Sequence, residues 1–501
     1  MTDIVLIKAN NQKKAYQDLS RDFTGLEPPL WIILTAAFLR EQGFQVQVID
    51  AEVENFDARE TVQRALAYKP LLVSVVVSGT NPSASTINMP GASECLKELK
   101  RRQPQCPAAI SGLHPSVLAA QTMQEEVADF LCEGEGFTTY AQLLNLLKSG
   151  KTLGDDFTVD GLWYRKGEQI ISNARAENIP DLGVLPMPAW DLLPMQKYRA
   201  HNWHAFDDVE KRQPYAVIYT SLGCPFHCSF CCINSIFGGP GIRYRPPEKV
   251  VEEVDYLVRN YGVRHIKILD EMFALKISHV EELCDRLIAL GHDLNFWVYG
   301  RIDTVKEPMF KKMKQAGINW IAYGIEAGSM KVREGVSKGR FDQDQIKRVI
   351  EMTHAEGIHI VGNFIFGLPD DDLETMGETL TLAKELNCEY GNFYCAMAYP
   401  GSKLYDEAVA QGVPLPDTWS GFAQFSEDTL PLPTKYLSSG EVLRFRDKAF
   451  QEYHTSGPYL NMIEHKFGMK TRKHVEDMCA MKLKRKHYDD TEGIHFHQEV
   501  D

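Results

Sequence analysis

No stretch of this 501-residue chain is apolar for long enough to cross a bilayer. Its longest apolar runs, PPLWIILTAAFL and PLLVSVVVSG, fall well short of the about 20 residues that a spanning helix needs. The first residues, MTDIVLIKANNQKK, lack the charged-then-apolar pattern of a secretory signal. A cytoplasmic protein with no membrane partner is therefore expected. Basic charge is also short. The chain has 54 Lys and Arg against 68 Asp and Glu, a formal net charge of −14. Gripping nucleic acid through its phosphates needs a basic face, so no nucleic-acid partner is expected. Cysteine is sparse, eleven in all. In a reducing compartment such thiols do not form a disulfide framework. Nor do they form two separated pairs or join a histidine pair, which excludes an ordinary structural zinc site.

What cysteine there is gathers in one place. Four of the eleven fall in SLGCPFHCSFCCINSIFG, at Cys224, Cys228, Cys231 and Cys232. The first three are spaced C-x3-C-x2-C on one loop. Three thiolates on a cubane [4Fe-4S] cluster hold three irons and leave the fourth open to a ligand, as catalytic zinc sites keep one open position. Cys232 lies outside the spacing and reads as a small buried residue, like the seven isolated cysteines.

Around this loop the chain alternates strand and helix patterns. In residues 1–150, DIVLIKAN, FQVQVIDAE, LLVSVVVSG, AAISGLH and ADFLCEGEG are short apolar strands separated by helical segments such as PLWIILTAAFLREQG. That pattern predicts an α/β, doubly wound, Rossmann-like domain with a parallel sheet covered on both faces. Ligands of such sheets lie beyond the carboxyl ends of the strands, which here carry SGTNPSAST, SGLHPS and CEGEG. Their glycines allow close backbone approach to a ligand. Residues 151–212 read as a linker containing a hairpin, VDGLWYRKGEQIISN. From 213 to 420, six strand–helix repeats predict a partial (β/α)6 TIM-like barrel, whose chemistry belongs at the C-terminal ends of the strands. The cysteine loop follows the first of these strands. Trp297, Tyr299, Tyr323 and Tyr394 are expected in the barrel core rather than in a pocket. Residues 421–501 predict a helical C-terminal region.

A C-x3-C-x-aromatic-C loop after the first strand of a barrel resembles the radical S-adenosylmethionine (radical SAM) superfamily, with Cys224, Cys228 and Cys231 as cluster ligands. KILDEMF (267–273) resembles the second-strand segment whose acidic residues contact the SAM amino group, which implies roles for Asp270 and Glu271. YGRID (299–303) resembles the third-strand segment whose arginine faces SAM, here Arg301. YGIEAGS (323–329) resembles the fourth, whose glutamate reaches the SAM ribose or amino group, here Glu326. GNFIFGLP (362–369) and AYPGSKLY (398–405) resemble the strand ends that close around adenosine.

With the doubly wound domain in front, nearly the whole chain resembles the cobalamin-binding branch of that superfamily, class B methyltransferase-like. The resemblance implies cobalamin contacts at Ser78, Gly79, Thr80, Gly112, His114, Glu133, Gly134 and Glu135. One departure concerns D-x-H-x-x-G, whose histidine ligates cobalt from below; the motif is missing. The lower axial ligand is thus left open between water, a residue of 78–86, and none. The implied cofactors are a [4Fe-4S] cluster, SAM and cobalamin, with a reducing partner such as flavodoxin or ferredoxin. The implied reaction is methylation of an unactivated carbon of a small-molecule or natural-product substrate, through a 5′-deoxyadenosyl radical and methylcobalamin. No side chain is singled out as catalytic. Oxidative cyclisation or ring rearrangement without methyl transfer is the alternative. A cobalamin-binding sensor or carrier with an inactive barrel is another, which the intact cysteine triad with Asp270, Arg301 and Glu326 opposes. An RNA methylthiotransferase is opposed by the acidic charge and by the lack of a second cysteine triad.

Overall fold

The computed structural model describes residues 2–79 and 82–489; Thr80 lies outside the described residues. Five parallel strands, β1 (Ile4–Lys8), β2 (Val46–Asp50), β3 (Leu72–Val77), β4 (Ala108–Gly112) and β5 (Phe130–Cys132), form the expected doubly wound sheet. Every residue of β1, β3, β4 and β5 is buried, which is why these strands read as unbroken apolar runs. The strand order starts β2-β1-β3-β4-β5. The chain leaves β1 to one side and returns at β3 on the other, so a crevice opens between the carboxyl ends of β1 and β3.

The hairpin, read above as part of a linker, belongs to this sheet. Its strands β6 (Leu162–Lys166) and β7 (Gln169–Ser172) continue the order antiparallel to β5, with Leu131 opposite Trp163. Leu162 and Tyr164 are buried on one side, and Trp163 and Ile170 pack on the other. The sheet therefore runs past residue 150, and its β5 edge is covered rather than left open.

Residue Tyr215 opens the barrel strand β8 (Tyr215–Ile218). Two two-residue strands, β9 (Ser221–Leu222) and β10 (Arg243–Tyr244), pair antiparallel on either side of the cysteine loop. Then follow β11 (His265–Ile268), β12 (Asn295–Arg301), β13 (Ile318–Glu326), β14 (His359–Phe366) and β15 (Tyr390–Cys395). All six main strands are parallel, in the order β15-β14-β13-β12-β11-β8. Among the described residues β15 does not pair with β8, so the barrel is open as the six repeats predict. Trp203, from the segment before β8, plugs the N-terminal end of the lumen. Its ring lies 4.9 Å from Trp297, 5.4 Å from Trp320 and 6.1 Å from Tyr390. The helices Ser439–His454, Gly457–Phe467 and Met469–Ala480 form the helical C-terminal region, and Tyr453 donates to the Cys388 carbonyl at the foot of β15.

Candidate functional site

The cysteine loop is held from several sides. Gly223, at φ +92°, starts it; an added Cβ would lie 2.5 Å from the Gly241 carbonyl oxygen, so only glycine fits the turn. Ser229 donates through its backbone to Val336, and Asn234 donates to the Phe226 carbonyl. Cys224, Cys228 and Cys231 are half-buried and line one cavity of about 670 Å³. Cys232 is buried in an apolar cluster with Leu113, Ile233 and Ile236. No disulfide joins any of the eleven cysteines. Burial pushes the Cys224 thiol up to about 11 and the Cys231 thiol well above its ordinary value. These thiols stay neutral until a metal displaces the proton. Among the described residues no three His, Cys, Asp or Glu side chains converge to hold a single ion. A cubane places its three cysteines on three different irons, and three thiols on one loop at the cavity wall suit that holding.

The same cavity is lined by Glu271, Arg301 and Glu326. The Arg301 guanidinium lies 3.9 Å over the Phe226 ring, donates to Cys228 Sγ at 3.4 Å and grips Asp303 at 2.9 and 2.8 Å. It thereby fastens the cysteine loop to the third barrel strand. Glu326 stands at φ +67°, at a register shift between β13 and β14. That conformation is costly for a residue with a side chain and persists only where the surroundings impose it. It aims the carboxylate at Lys338, 2.6 Å away, with both side chains 7% exposed. Gly324 makes room for the pair; a Cβ there would lie 2.5 Å from Glu326 Oε1 and 2.6 Å from Lys338 Nζ. Burial pushes the Glu271 carboxyl up to about 8, against the pull of Lys267.

Asp270 behaves differently from its neighbour. It does not line the cavity. It accepts from the Thr220 backbone at 2.6 Å, from Ser221 Oγ at 2.7 Å, and from the Thr220 hydroxyl. Its work is to tie the start of the cysteine loop to the end of β11.

The expected cobalamin contacts separate into two groups. Ser78 and Gly79, just past the end of β3, line a small cavity of about 50 Å³ with Lys8 at the end of β1, with Gln12 and Tyr16 from the chain after it, and with Tyr219 and Leu269 from the barrel. This opening lies at the β1/β3 crevice and shares Gln12, Tyr16 and Ile87 with the large cavity. The others make contacts within the protein. A Cβ on Gly112 would sit 2.0 Å from the Val77 carbonyl oxygen, so this glycine lets β4 pass close to β3. His114 is 1% exposed, bonds Thr86 Oγ1 at 3.0 Å, and meets the Trp419 ring edge-on at 4.5 Å. Glu133 pairs with Arg175 at 2.8 Å and Glu135 with Arg243 at 2.6 Å, both joining the sheet to later segments. Gly134 takes φ +75° and donates its N–H to Ser116.

The sequence reading missed several lining residues. Residues 12–25, after β1, form a wall of the cavity through Tyr16 and Phe23. No motif marks them. Lys338 lies in a loop equally without pattern. Trp297, Tyr299 and Tyr394, expected in the core, face the cavity. Tyr299 stands two residues before Arg301 on one strand, so period-two alternation already put both on one face. Tyr323 does turn away into the core, bonded to Thr353 at 2.9 Å.

An open six-stranded barrel with a three-thiol loop at its rim, facing the crevice of a doubly wound domain, is the architecture of a radical-generating iron–sulfur enzyme with a second cofactor domain. Residues 218–383 match the radical SAM superfamily and residues 17–144 match the B12 binding domain. An uncharacterised methyltransferase of Pyrococcus horikoshii is 28% identical over 428 residues, 85% of this chain and 88% of that one. The anaerobic magnesium-protoporphyrin IX monomethyl ester cyclase of Rubrivivax gelatinosus is 25% identical, over 87% of this chain and 77% of that one. Among solved structures, the radical SAM methyltransferase TsrM of Kitasatospora setae, with cobalamin and a [4Fe-4S] cluster bound, superposes with a TM-score of 0.69. It covers 96% of this chain and 100% of that one at 16% identity, so it shows a shared fold. The chain belongs to the cobalamin-dependent radical SAM enzymes, the family that includes these methyltransferases. Its cofactors are a [4Fe-4S] cluster, SAM and cobalamin.

Proposed function

We propose that this enzyme transfers a methyl group to a carbon of a small-molecule substrate held in the large cavity. The observation that carries this reading is that one cavity is walled by the three cysteines, by the charged barrel rim and by residues 12–25 of the N-terminal domain. When bound there, the cluster and SAM supply a carbon-centred radical and cobalamin supplies a transferable methyl group.

The chain's own residues do the rest. Cys224, Cys228 and Cys231 hold the cluster as thiolates. Arg301 fixes Cys228 and the loop, and carries positive charge beside the sulfur. Glu271 and Glu326 offer carboxyl groups to the SAM amino and ribose groups, with Lys338 holding Glu326 in place. Asp270 supports the loop from behind. Ser78 and Gly79 bring backbone to cobalamin at the β1/β3 crevice. His114 is buried, bonded to Thr86 and packed against Trp419, so its ring is already engaged within the protein. The apolar walls keep water from a reactive substrate radical.

A reducing partner such as flavodoxin or ferredoxin and a cytoplasmic location fit this reading. No helix among the described residues is long and apolar enough to cross a membrane. The acidic net charge of −14 argues against a nucleic-acid partner. Oxidative cyclisation is the second reading, favoured by the cyclase relative of similar coverage.

The deciding experiment incubates reduced holoenzyme with extract of its source cell and SAM carrying a deuterated methyl group. Methyl transfer predicts a product that has gained the labelled methyl, with 5′-deoxyadenosine and S-adenosylhomocysteine formed together. Sustained 5′-deoxyadenosine without S-adenosylhomocysteine, alongside an unlabelled oxidised product, would establish the cyclase reading instead.

A further inference from the structure

Below the charged rim, the inner wall of the barrel carries polar groups that the reading above does not use. Most lumen tyrosines have a partner. Tyr215 accepts from Trp297 Nε1 at 3.2 Å, Tyr323 bonds Thr353, and Tyr390 donates to Met478 Sδ at 3.5 Å. Tyr16, Tyr299 and Tyr394 do not. Their half-buried rings line the large cavity, and among the described residues no protein group hydrogen-bonds their hydroxyls. A tyrosine hydroxyl facing a cavity is free to donate to whatever fills it, water or a bound molecule. Three of them around one cavity, from three separate segments of the chain, mark a place where something else completes the bonds.

We propose that Tyr16, Tyr299 and Tyr394 form the substrate subsite of this enzyme, and that it takes an uncharged, flat, conjugated ring bearing a carbonyl or hydroxyl oxygen. The inference rests on the proposed function and names the substrate class for that site.

Three features select this class. Burial raises all three hydroxyls well above the ordinary tyrosine value, and for Tyr394 the nearby Tyr299 and Tyr16 add to it. They therefore remain neutral O–H groups that donate to an oxygen. The charged groups of the deep wall are already matched. Lys267 Nζ sits 3.1 Å from Glu27, and Arg446 sits 2.6 Å from Asp447. An ionic substrate group would have to break a buried pair to find a partner. The remaining wall is aromatic: Tyr16 stacks on Phe425 at 5.9 Å and 26°, and such rings offer faces to a planar ligand. The subsite lies one inward-facing step below Arg301 on β12, so a ring bound there meets the SAM-binding rim from beneath.

The test uses anaerobic holoenzyme and three probes of one shape: 2-quinolone, which has a ring carbonyl, naphthalene, which has none, and anionic 2-naphthoate. Fluorescence titration should rank quinolone tightest and naphthoate weakest. Tyr16→Phe, Tyr299→Phe and Tyr394→Phe should each weaken quinolone about 2- to 10-fold, the range of one neutral hydrogen bond. Naphthalene affinity and SAM affinity should stay unchanged in each variant. Equal quinolone binding across the three variants would overturn the proposal, as would tightest binding of naphthoate or no binding of quinolone by the parent enzyme. Quinolone discrimination in a parent enzyme that never forms 5′-deoxyadenosine would uphold the subsite and overturn the proposed function alone.

Discussion

Asp270 and Glu271 are adjacent in the chain and have opposite fates. One is locked to Thr220 and Ser221, while the other lines the cavity. Both lie past the end of β11, where the chain turns, and the turn sends their side chains to different places. Their motif marks the pair, but only the fold of the turn after β11 decides between them. For the cysteines, spacing sets Cys232 apart, and the structure buries it among Leu113, Ile233 and Ile236. Replacing Cys224, Cys228 or Cys231 with Ala should reduce bound iron from about four per chain to near none. Cys232→Ala should keep the iron and lose about 1 kcal/mol of packing; iron analysis and urea unfolding check both. At the rim, Glu326→Gln removes a charge-assisted bond worth about 1.5–3 kcal/mol and should weaken SAM about tenfold or more by calorimetry. His114 carries a pH signature. Burial pushes it down to about 3, while an unfolded histidine titrates near about 6.5. Between those values the unfolded chain binds the extra proton. The residue's contribution is therefore whole above pH 6.5 and drains away as pH falls toward 3, by up to about 1.4 kcal/mol per pH unit. In His114→Gln, the unfolding free energy measured in urea between pH 6 and 4 should fall less steeply, by about one proton.

At the scale of elements, the glycines at strand ends have uses that their loops do not advertise. Gly112 reads as a residue that admits a ligand, yet it faces the Val77 carbonyl of the neighbouring strand. Gly112→Ala forces a Cβ onto that oxygen, so β3 and β4 must part. The expected result is a drop in thermal stability with loss of cobalamin and SAM binding together, not of cobalamin alone. Equal stability with selective loss of cobalamin would restore the ligand role. The strands and helices themselves were legible, because strands buried on both faces are unbroken apolar runs and the helices between them carry capping signals, as at Asp342 and Asp372. The hairpin β6–β7 was legible as a hairpin but not as an edge of the first sheet. Local pattern specifies a turn between two strands, whereas partner choice depends on which edge in the folded molecule lacks a neighbour.

Across the whole molecule, buried charges bridge parts that lie far apart in the chain. Glu27, from the chain after β1, reaches Lys267 inside the barrel at 3.1 Å and His201 at 3.0 Å. Burial opposes its ionisation, but Lys267 and His201 hold its carboxyl below the ordinary range. Glu27→Gln would strand a buried lysine, at a cost of about 3–5 kcal/mol, whereas Glu27→Leu with Lys267→Met together should recover most of it. Thermal unfolding of the three proteins, each expected to melt in one transition, reads this directly. By itself the sequence determined the two domains, the cysteine triad and the charged strand ends, since spacing and periodicity act over short stretches of chain. Only the tertiary structure decided that residues 12–25 wall the cavity, that Lys338 meets Glu326, and that three tyrosines converge below the rim. Those contacts join segments far apart in the chain, and no local pattern encodes which buried surfaces will meet once the two domains close on each other.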